Sequence, residues 1–241
     1  MNTSLNKLKW KIKVSVYNQN ILNLIRVTKY FCLVNESSRL LDIGCNDAVY
    51  TKKYCDSFGI DFENACGIDY NEENITALPR DRFYYHDIDL LRPLPYGDRL
   101  FDLVIMNQVL EHAKNISHII AEINRVSRKG STFVLSVPNL AALHSRLLLL
   151  AGKMPLAIQG MDAHVRGFTI NSLKKYVSNY GFQYTGCTGS GLYPFTGSLT
   201  GYIGRLFPQF SVFITLVFKK TDDYDLSKLR TKHFHETKVD F

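Results

Sequence analysis

Three aspartates stand at the ends of short apolar runs: Asp42 in "LLDIGCNDAVY", Asp69 in "CGID" and Asp87 in "FYYHDID". Asn107 follows a fourth such run, "FDLVIM", and is itself followed by Glu111-His112; His164 lies further along in "MDAHVRGFT". A carboxylate presents two acceptor oxygens, so one aspartate can take both hydroxyls of a ribose. Asp69 stands about 25 residues after Gly44, close to the spacing at which an acid meets a ribose in dinucleotide folds. Glu111, His112 and His164 are the residue types that move protons or ligate a divalent ion.

The loop after the first run excludes one class of cofactor. A pyrophosphate needs a tight glycine turn that brings a helix N-terminus onto it. Here Gly44 is alone, Asn46 and Ala48 stand where further glycines would serve, and the Asp47 carboxylate repels phosphate. A cationic cofactor without phosphate suits the loop better, and S-adenosylmethionine is such a molecule. Asn46 is the non-glycine residue that best tolerates left-handed backbone angles. Ala48 is small enough to keep the following helix close. Cys45 reads as a small packed side chain, since nothing nearby would depress its pKa.

These residues need elements to hold them. Apolar runs predict strands at 39–43, 65–68, 82–86, 101–106 and 132–137, with helices near 47–58, 72–78 and 117–127 between them. Gly59, Pro79 and Gly130 punctuate the joins. Short, continuous apolar strands alternating with helices predict a parallel sheet covered on both faces. Further helices are expected near 139–151 and 170–180, and closing strands near 182–187 and 211–219. Ahead of the first strand, Leu8, Trp10, Ile12, Val14 and Val16 alternate with lysines at strand period, or as an extended arm. Ile21, Leu22, Leu24, Ile25 and Phe31 then recur at helical spacing.

The chain has 241 residues, 46% of them hydrophobic, enough for one ordinary core. Its five cysteines, Cys32, Cys45, Cys55, Cys66 and Cys187, form no CxxC pair, which favours a reducing compartment and disfavours structural zinc. The polar N-terminus does not read as a signal peptide, and the longest apolar run, 147–151, is too short to span a bilayer. A cytoplasmic protein able to touch a membrane is expected. Net charge is +7, and residues 1–35 carry six basic residues without an acid. Such an arm suits RNA, anionic lipid or an acidic substrate, or is simply a solvated helix face.

The stretches "LLDIGCNDAVY", "GIDYNEENI", "HDIDLLRPLPYGDRLFDLVIMNQVLEHA" and "GSTFVLSVPN" resemble, in order and spacing, those of class I S-adenosylmethionine-dependent methyltransferases. Within that family the chain is similar to the ubiquinone-pathway O-methyltransferase group. The later "HVRGFTINSLKKYVSNYGF" resembles the region after the fifth strand in many members. The resemblance implies an α/β fold: a doubly wound, mostly parallel seven-stranded sheet of Rossmann-like methyltransferase type, with the last strand antiparallel. It implies a basic arm and helix over 1–35, the methyltransferase domain over 36–220, and a flexible charged tail over 221–241. Asp42, Gly44, Cys45 and Asn46 would shape the pocket for the methionine part of the cofactor, and Asp69 with Tyr70 would hold the ribose. Asp87 and Ile88 would border the adenine, and Asn107 would face the transferring methyl. The family loop D-x-G-x-G-x-G is here D-x-G-x-N-x-A.

Some relatives carry E-x-x-E-H and a later His that together bind a divalent metal. This chain has Gln108 in place of the first Glu, which weakens such a site. Glu111, His112 and His164 are the candidate catalytic residues, and the same three form the one conceivable metal set; no metal is expected. The resemblance also places acceptor-pocket or lid segments at 140–168 and 190–210. Their Leu, Tyr, Phe and Gly content suits an apolar acceptor or contact with a membrane surface. The expected activity is methyl transfer to oxygen of a small-molecule, lipid-like or glycan acceptor. The alternatives are metal-assisted RNA 2′-O-methylation, with nucleic acid disfavoured as a partner, and a cofactor-binding protein without turnover.

Overall fold

The computed structural model describes residues 3–158, 164–193, 195 and 198–228. Seven strands form one sheet: β1 (Leu40–Ile43), β2 (Ala65–Asp69), β3 (Phe83–Tyr85), β4 (Phe101–Asn107), β5 (Ser127–Pro138), β6 (Phe182–Ser190) and β7 (Phe213–Lys220). Their spatial order is β3-β2-β1-β4-β5-β7-β6. The pairs among β1 to β5 are parallel, while β7 is antiparallel to both β5 and β6. The expected doubly wound sheet with an antiparallel last strand is therefore the fold observed. Strand order reverses between β1 and β4, and ligands in such sheets bind beyond the carboxyl ends of the strands at that reversal.

Both faces of the sheet are covered, as continuous apolar strands require. Along β1 and β4 alternate side chains face opposite sides. Leu41, Ile43, Val104 and Met106 pack with Ile119, Ile120 and Ile123 of α4 (Ile116–Val126). Leu40, Leu103 and Ile105 face Ile21, Leu24 and Val27 of α1 (Thr3–Phe31), together with Tyr54 of α2 (Val49–Phe58). The remaining helices are α3 (Glu72–Ile75), α5 (Leu143–Leu150), α6 (Ile170–Ser178) and α7 (Ser198–Leu206). No helix among the described residues is long and apolar enough to cross a membrane.

The alternation over residues 8–16 does not make a strand. Those residues continue α1 as one helix of 29 residues. Leucine and lysine are good helix formers, no Gly or Pro interrupts the run, and a helix already anchored by Ile21, Leu24 and Val27 propagates at little cost. The predicted helix at 139–151 begins only at Leu143. Asn139 is taken up instead by a bridge to Phe168, and its amide donates to the backbone oxygens of Gln209 and Ser211. The helix after β2 is a single turn, and α7 arises in the Gly/aromatic segment, where glycine content concealed its periodicity. Of the expected tail, residues 222–224 dock on the domain through Asn124 and Lys220, while 229–241 lie outside the described residues.

Candidate active site

The carboxyl ends of β1, β2 and β4 open on a cavity of about 600 Å³. Gly44, Asp69, Tyr70, Asp87, Ile88, Asn107 and His112 line it, as do Tyr17, His86, Asp89 and Lys114, which sequence reasoning had not singled out. Asp42, Cys45 and Asn46 do not line it; Asp42 and Cys45 are buried, and Asn46 is exposed on the loop.

Four residues around the two loops hold left-handed backbone angles: Gly44 (φ 81°), Asn46 (φ 50°), Ala48 (φ 58°) and Gln108 (φ 57°). The chain has lost two family glycines without losing the turns they make. Gly44 is constrained on a second ground, because a Cβ there would strike Val109 Cγ2. The loop is fastened to β2 through its backbone: Gly44 N–H and Cys45 N–H donate to the Ile68 carbonyl. The Asn46 N–H donates to Asp69 Oδ2 at 2.9 Å, and the Asn71 N–H donates to Asp69 Oδ1 at 2.9 Å. Asp69 thus fixes both loops, and each of its oxygens retains accepting capacity toward the cavity. The cap of α3 is Asn71, whose side chain accepts from the Glu73 N–H.

Asp42 is buried and accepts from Thr51 Oγ1 at 2.6 Å. Burial pushes its carboxyl up to about 7; the Thr51 hydrogen bond opposes this shift and the Asp69 charge adds to it. Burial likewise raises the Cys45 thiol far above its ordinary range, which leaves it inert at neutral pH. Asn107 closes a buried amide network. The Asn20 Nδ2–H of α1 donates to Asn107 Oδ1 at 3.0 Å, and Ser136 Oγ donates to Asn20 Oδ1 at 3.1 Å. Tyr17, one turn earlier, reaches the cavity, and burial pushes its phenol up to about 12. The signal for these residues was legible: Asn20 and Asn23 interrupt the apolar stripe of α1 at positions that must face the core.

Glu111, His112 and His164 come together, with one ligand atom from each lying within 4.8 Å of the others. The two imidazole rings meet edge to face at 4.7 Å. The segment after His164 is tied to the β4 loop by the Val165 N–H donating to the Glu111 carbonyl and by Arg166 donating to the Lys114 carbonyl. His164 Nδ1 is 2.9 Å from the Ala157 carbonyl, so a proton there leaves Nε2 as the acceptor. Glu111 is buried; its Oε2 has no hydrogen-bond partner among the described residues, and burial pushes its carboxyl up to about 8. Gln108 turns away from the three, its amide donating to Ser136 Oγ.

Sequence and fold comparisons agree with this geometry. The family described as "Methyltransferase domain" matches residues 19–185. A probable S-adenosylmethionine-dependent methyltransferase of Mycolicibacterium smegmatis is 34% identical over 77 residues, 30% of this chain and 29% of that protein. The match therefore spans under a third of that relative. Among solved structures, a SAM-dependent methyltransferase from Archaeoglobus fulgidus superposes with TM-score 0.57 at 20% identity, over 87% of this chain and 96% of that one. The 1,6-didemethyltoxoflavin-N1-methyltransferase of Burkholderia thailandensis, solved with bound 1,6-didemethyltoxoflavin and S-adenosylhomocysteine, superposes with TM-score 0.54 at 15% identity, over 88% and 81% of the two chains. S-adenosylmethionine is the cofactor of this group. The cavity suits it: Asp69, Asp87 and Asp89 supply negative charge along the wall for a cationic ligand, and isoleucines at 43, 68 and 88 line it. With sheet order, loop and family match in agreement, the chain belongs to the methyltransferase-domain family and has the class I S-adenosylmethionine-dependent fold.

Proposed function

We propose that this chain transfers the methyl group of S-adenosylmethionine to a hydroxyl oxygen of a small-molecule, lipid-like or glycan acceptor. The observation that carries the oxygen acceptor is the Glu111–His112–His164 cluster, with His112 on the cavity wall. Asp69 and Tyr70 would hold the ribose, Asp87 and Ile88 the adenine, and Gly44 the methionine end. Asp42, Cys45 and Asn46 would hold the shape of that loop, and Asn107 would face the methyl. His112 would take the acceptor proton as the oxygen–carbon bond forms. The carbon–sulfur bond breaks in the same step, and S-adenosylhomocysteine leaves with the electron pair. Ionised Glu111 would stabilise the imidazolium, and His164 would orient it. In-line placement of acceptor and methyl supplies much of the rate.

The cheapest test is calorimetric titration with S-adenosylmethionine, followed by detection of S-adenosylhomocysteine over a panel of hydroxyl acceptors. Absence of binding would end the reading. Binding without product on any acceptor would favour a protein that holds the cofactor without turnover.

A second reading is favoured by the unpartnered Glu111 Oε2. One carboxylate oxygen and two imidazole nitrogens fit zinc, a borderline ion, best, and manganese, which binds such sites more tightly than magnesium, next. Bound there, the ion would lower the pKa of the acceptor hydroxyl. Titration of manganese or zinc into wild type and Glu111→Gln separates the two readings by binding alone.

A further inference from the structure

The charges of the chain are segregated in a way the net value hides. Between Glu122 and Asp222 the sequence contains eleven Lys and Arg residues and a single acid, Asp162. The first 35 residues add six basic residues and no acid. The acids are concentrated in the first half of the sheet, around the cavity.

The acid-poor half also carries a concentration of exposed apolar side chains. On α5 and just beyond it, Leu147, Leu149, Leu150 and Met154 are exposed, Leu150 by 85%. Leu206 and Phe207 are exposed at the end of α7. The two helices are joined through the loops between them: His144 meets the Tyr193 ring at 5.3 Å, and the Arg146 guanidinium lies over Phe210 at 5.1 Å. Arg146, Lys153 and Arg205 stand among these side chains. Leucines left in water on a short helix, with cations interleaved and no acid, do not describe a solvated face.

Topology sets this patch beside the active site. β5 ends at Pro138 and leads into α5, while β6 ends and β7 begins at the segment carrying α7. All three ends lie on the carboxyl edge of the sheet, where the cavity opens. The N-terminal part of α1 lies at the same edge: a Cβ on Gly186 would meet Phe31 and one on Gly191 would meet Val16, so the helix runs antiparallel to β6.

We infer that the carboxyl edge of this domain docks on an anionic phospholipid bilayer. The apolar side chains of α5 and α7 enter the headgroup boundary, while Arg146, Lys153 and Arg205 meet lipid phosphate. An occupant must be both apolar and negatively charged, and a bilayer surface is both. Docking presents the cavity mouth to the membrane. It gives a lipid-like acceptor a route to His112 that does not cross water. That last step rests on the proposed methyl transfer; the docking does not.

The test is flotation of the full chain with vesicles, without cofactor or acceptor, so that its outcome is independent of catalysis. Vesicles of phosphatidylcholine with about one third phosphatidylglycerol are compared with phosphatidylcholine alone. Wild type is expected to float with the anionic vesicles at least ten-fold more than with the neutral ones, and less at high salt. Leu147→Ser with Leu150→Ser removes two exposed side chains from an external helix face and should reduce flotation at least ten-fold. Lys153→Glu should reduce it several-fold. Circular dichroism melts verify that these variants are folded. Failure of wild type to float, or flotation unchanged in the leucine variant, overturns the inference. So does a dimer by light scattering that the leucine variant abolishes while vesicles capture nothing, because a second copy would then cover the face. Retention of an RNA oligonucleotide without vesicle binding overturns it as well.

Discussion

Asn20 in the first helix donates to Asn107 at the end of β4, 3.0 Å away and 87 residues later, where both sit under the cavity. Asn20 Oδ1 accepts in turn from Ser136 Oγ, and Asn107 Nδ2 lies 3.4 Å from the Tyr54 hydroxyl. One amide of α1 therefore orients the residue proposed to face the methyl group. Asn20→Leu keeps the branched heavy-atom skeleton, leaves Asn107 Oδ1 without that donor and the Ser136 hydroxyl without that acceptor, and costs about 2–4 kcal/mol. Urea denaturation should show that loss, and calorimetry should show cofactor affinity falling about ten-fold, since about 1.4 kcal/mol corresponds to that factor. Unchanged affinity in a destabilised variant would assign the network to folding alone.

The mostly parallel sheet and the carboxyl-edge residues were legible because parallel strands buried on both faces leave continuous apolar runs, and their polar ends are few. Asp69, Asp87 and Asn107 stood out for that reason. What the sequence hid was tertiary. The strand-like alternation over residues 8–16 gave way to a helix whose continuation is anchored by Ile21 and Leu24. Glu111, His112 and His164 meet where the Val165 N–H and the Arg166 guanidinium bond the β4 loop, and spacing alone cannot foretell those bonds. The patch on α5 read as an apolar helix; which leucines stay in water depends on what packs beside them.

The lost glycines predict opposite outcomes at two loop positions. Ala48 already holds a left-handed angle, which costs an L-residue about 1–2 kcal/mol. Ala48→Gly relieves that strain but loses a buried methyl worth about 0.8 kcal/mol and some chain entropy, so stability should stay within about 1 kcal/mol of wild type. Gly44→Ala forces a Cβ onto Val109 and should abolish cofactor binding with several kcal/mol of destabilisation. Adding Val109→Ala removes the struck methyl, so the double variant should recover part of that loss. Denaturation of wild type, the three single variants Ala48→Gly, Gly44→Ala and Val109→Ala, and the double variant measures both effects, and additivity of Gly44→Ala with Val109→Ala would refute the clash.

The buried Asp42 sets a direction for stability against pH. Its folded pKa of about 7 lies above the ordinary aspartate value of 3.8, so the folded state holds its proton more tightly than the unfolded state does. Its contribution is complete below about pH 4 and disappears as pH rises through 7. Cofactor-free protein should therefore melt lower at pH 8 than at pH 5.5, and Asp42→Asn should flatten that slope. Equal slopes in wild type and variant would dismiss the assignment. The cationic cofactor reverses the preference, so wild-type affinity should rise over the same range.

Glu111 carries the remaining prediction, because its charge state distinguishes a working carboxylate from a buried neutral one. Its carboxyl is pushed up to about 8, so at pH 7 most of it is protonated and cannot support an imidazolium on His112. If the cluster acts as a base, kcat/KM should rise between about pH 7 and 9 as Glu111 ionises. Glu111→Gln should remove that limb and lower the rate about 100-fold, and His112→Ala should lose a similar factor, while cofactor affinity is unchanged in both. Chelators should leave the wild-type rate intact. A rate abolished by chelator and restored by manganese would instead assign the three side chains to a metal. A pH profile identical in wild type and Glu111→Gln would remove Glu111 from the chemistry, whichever group takes the proton.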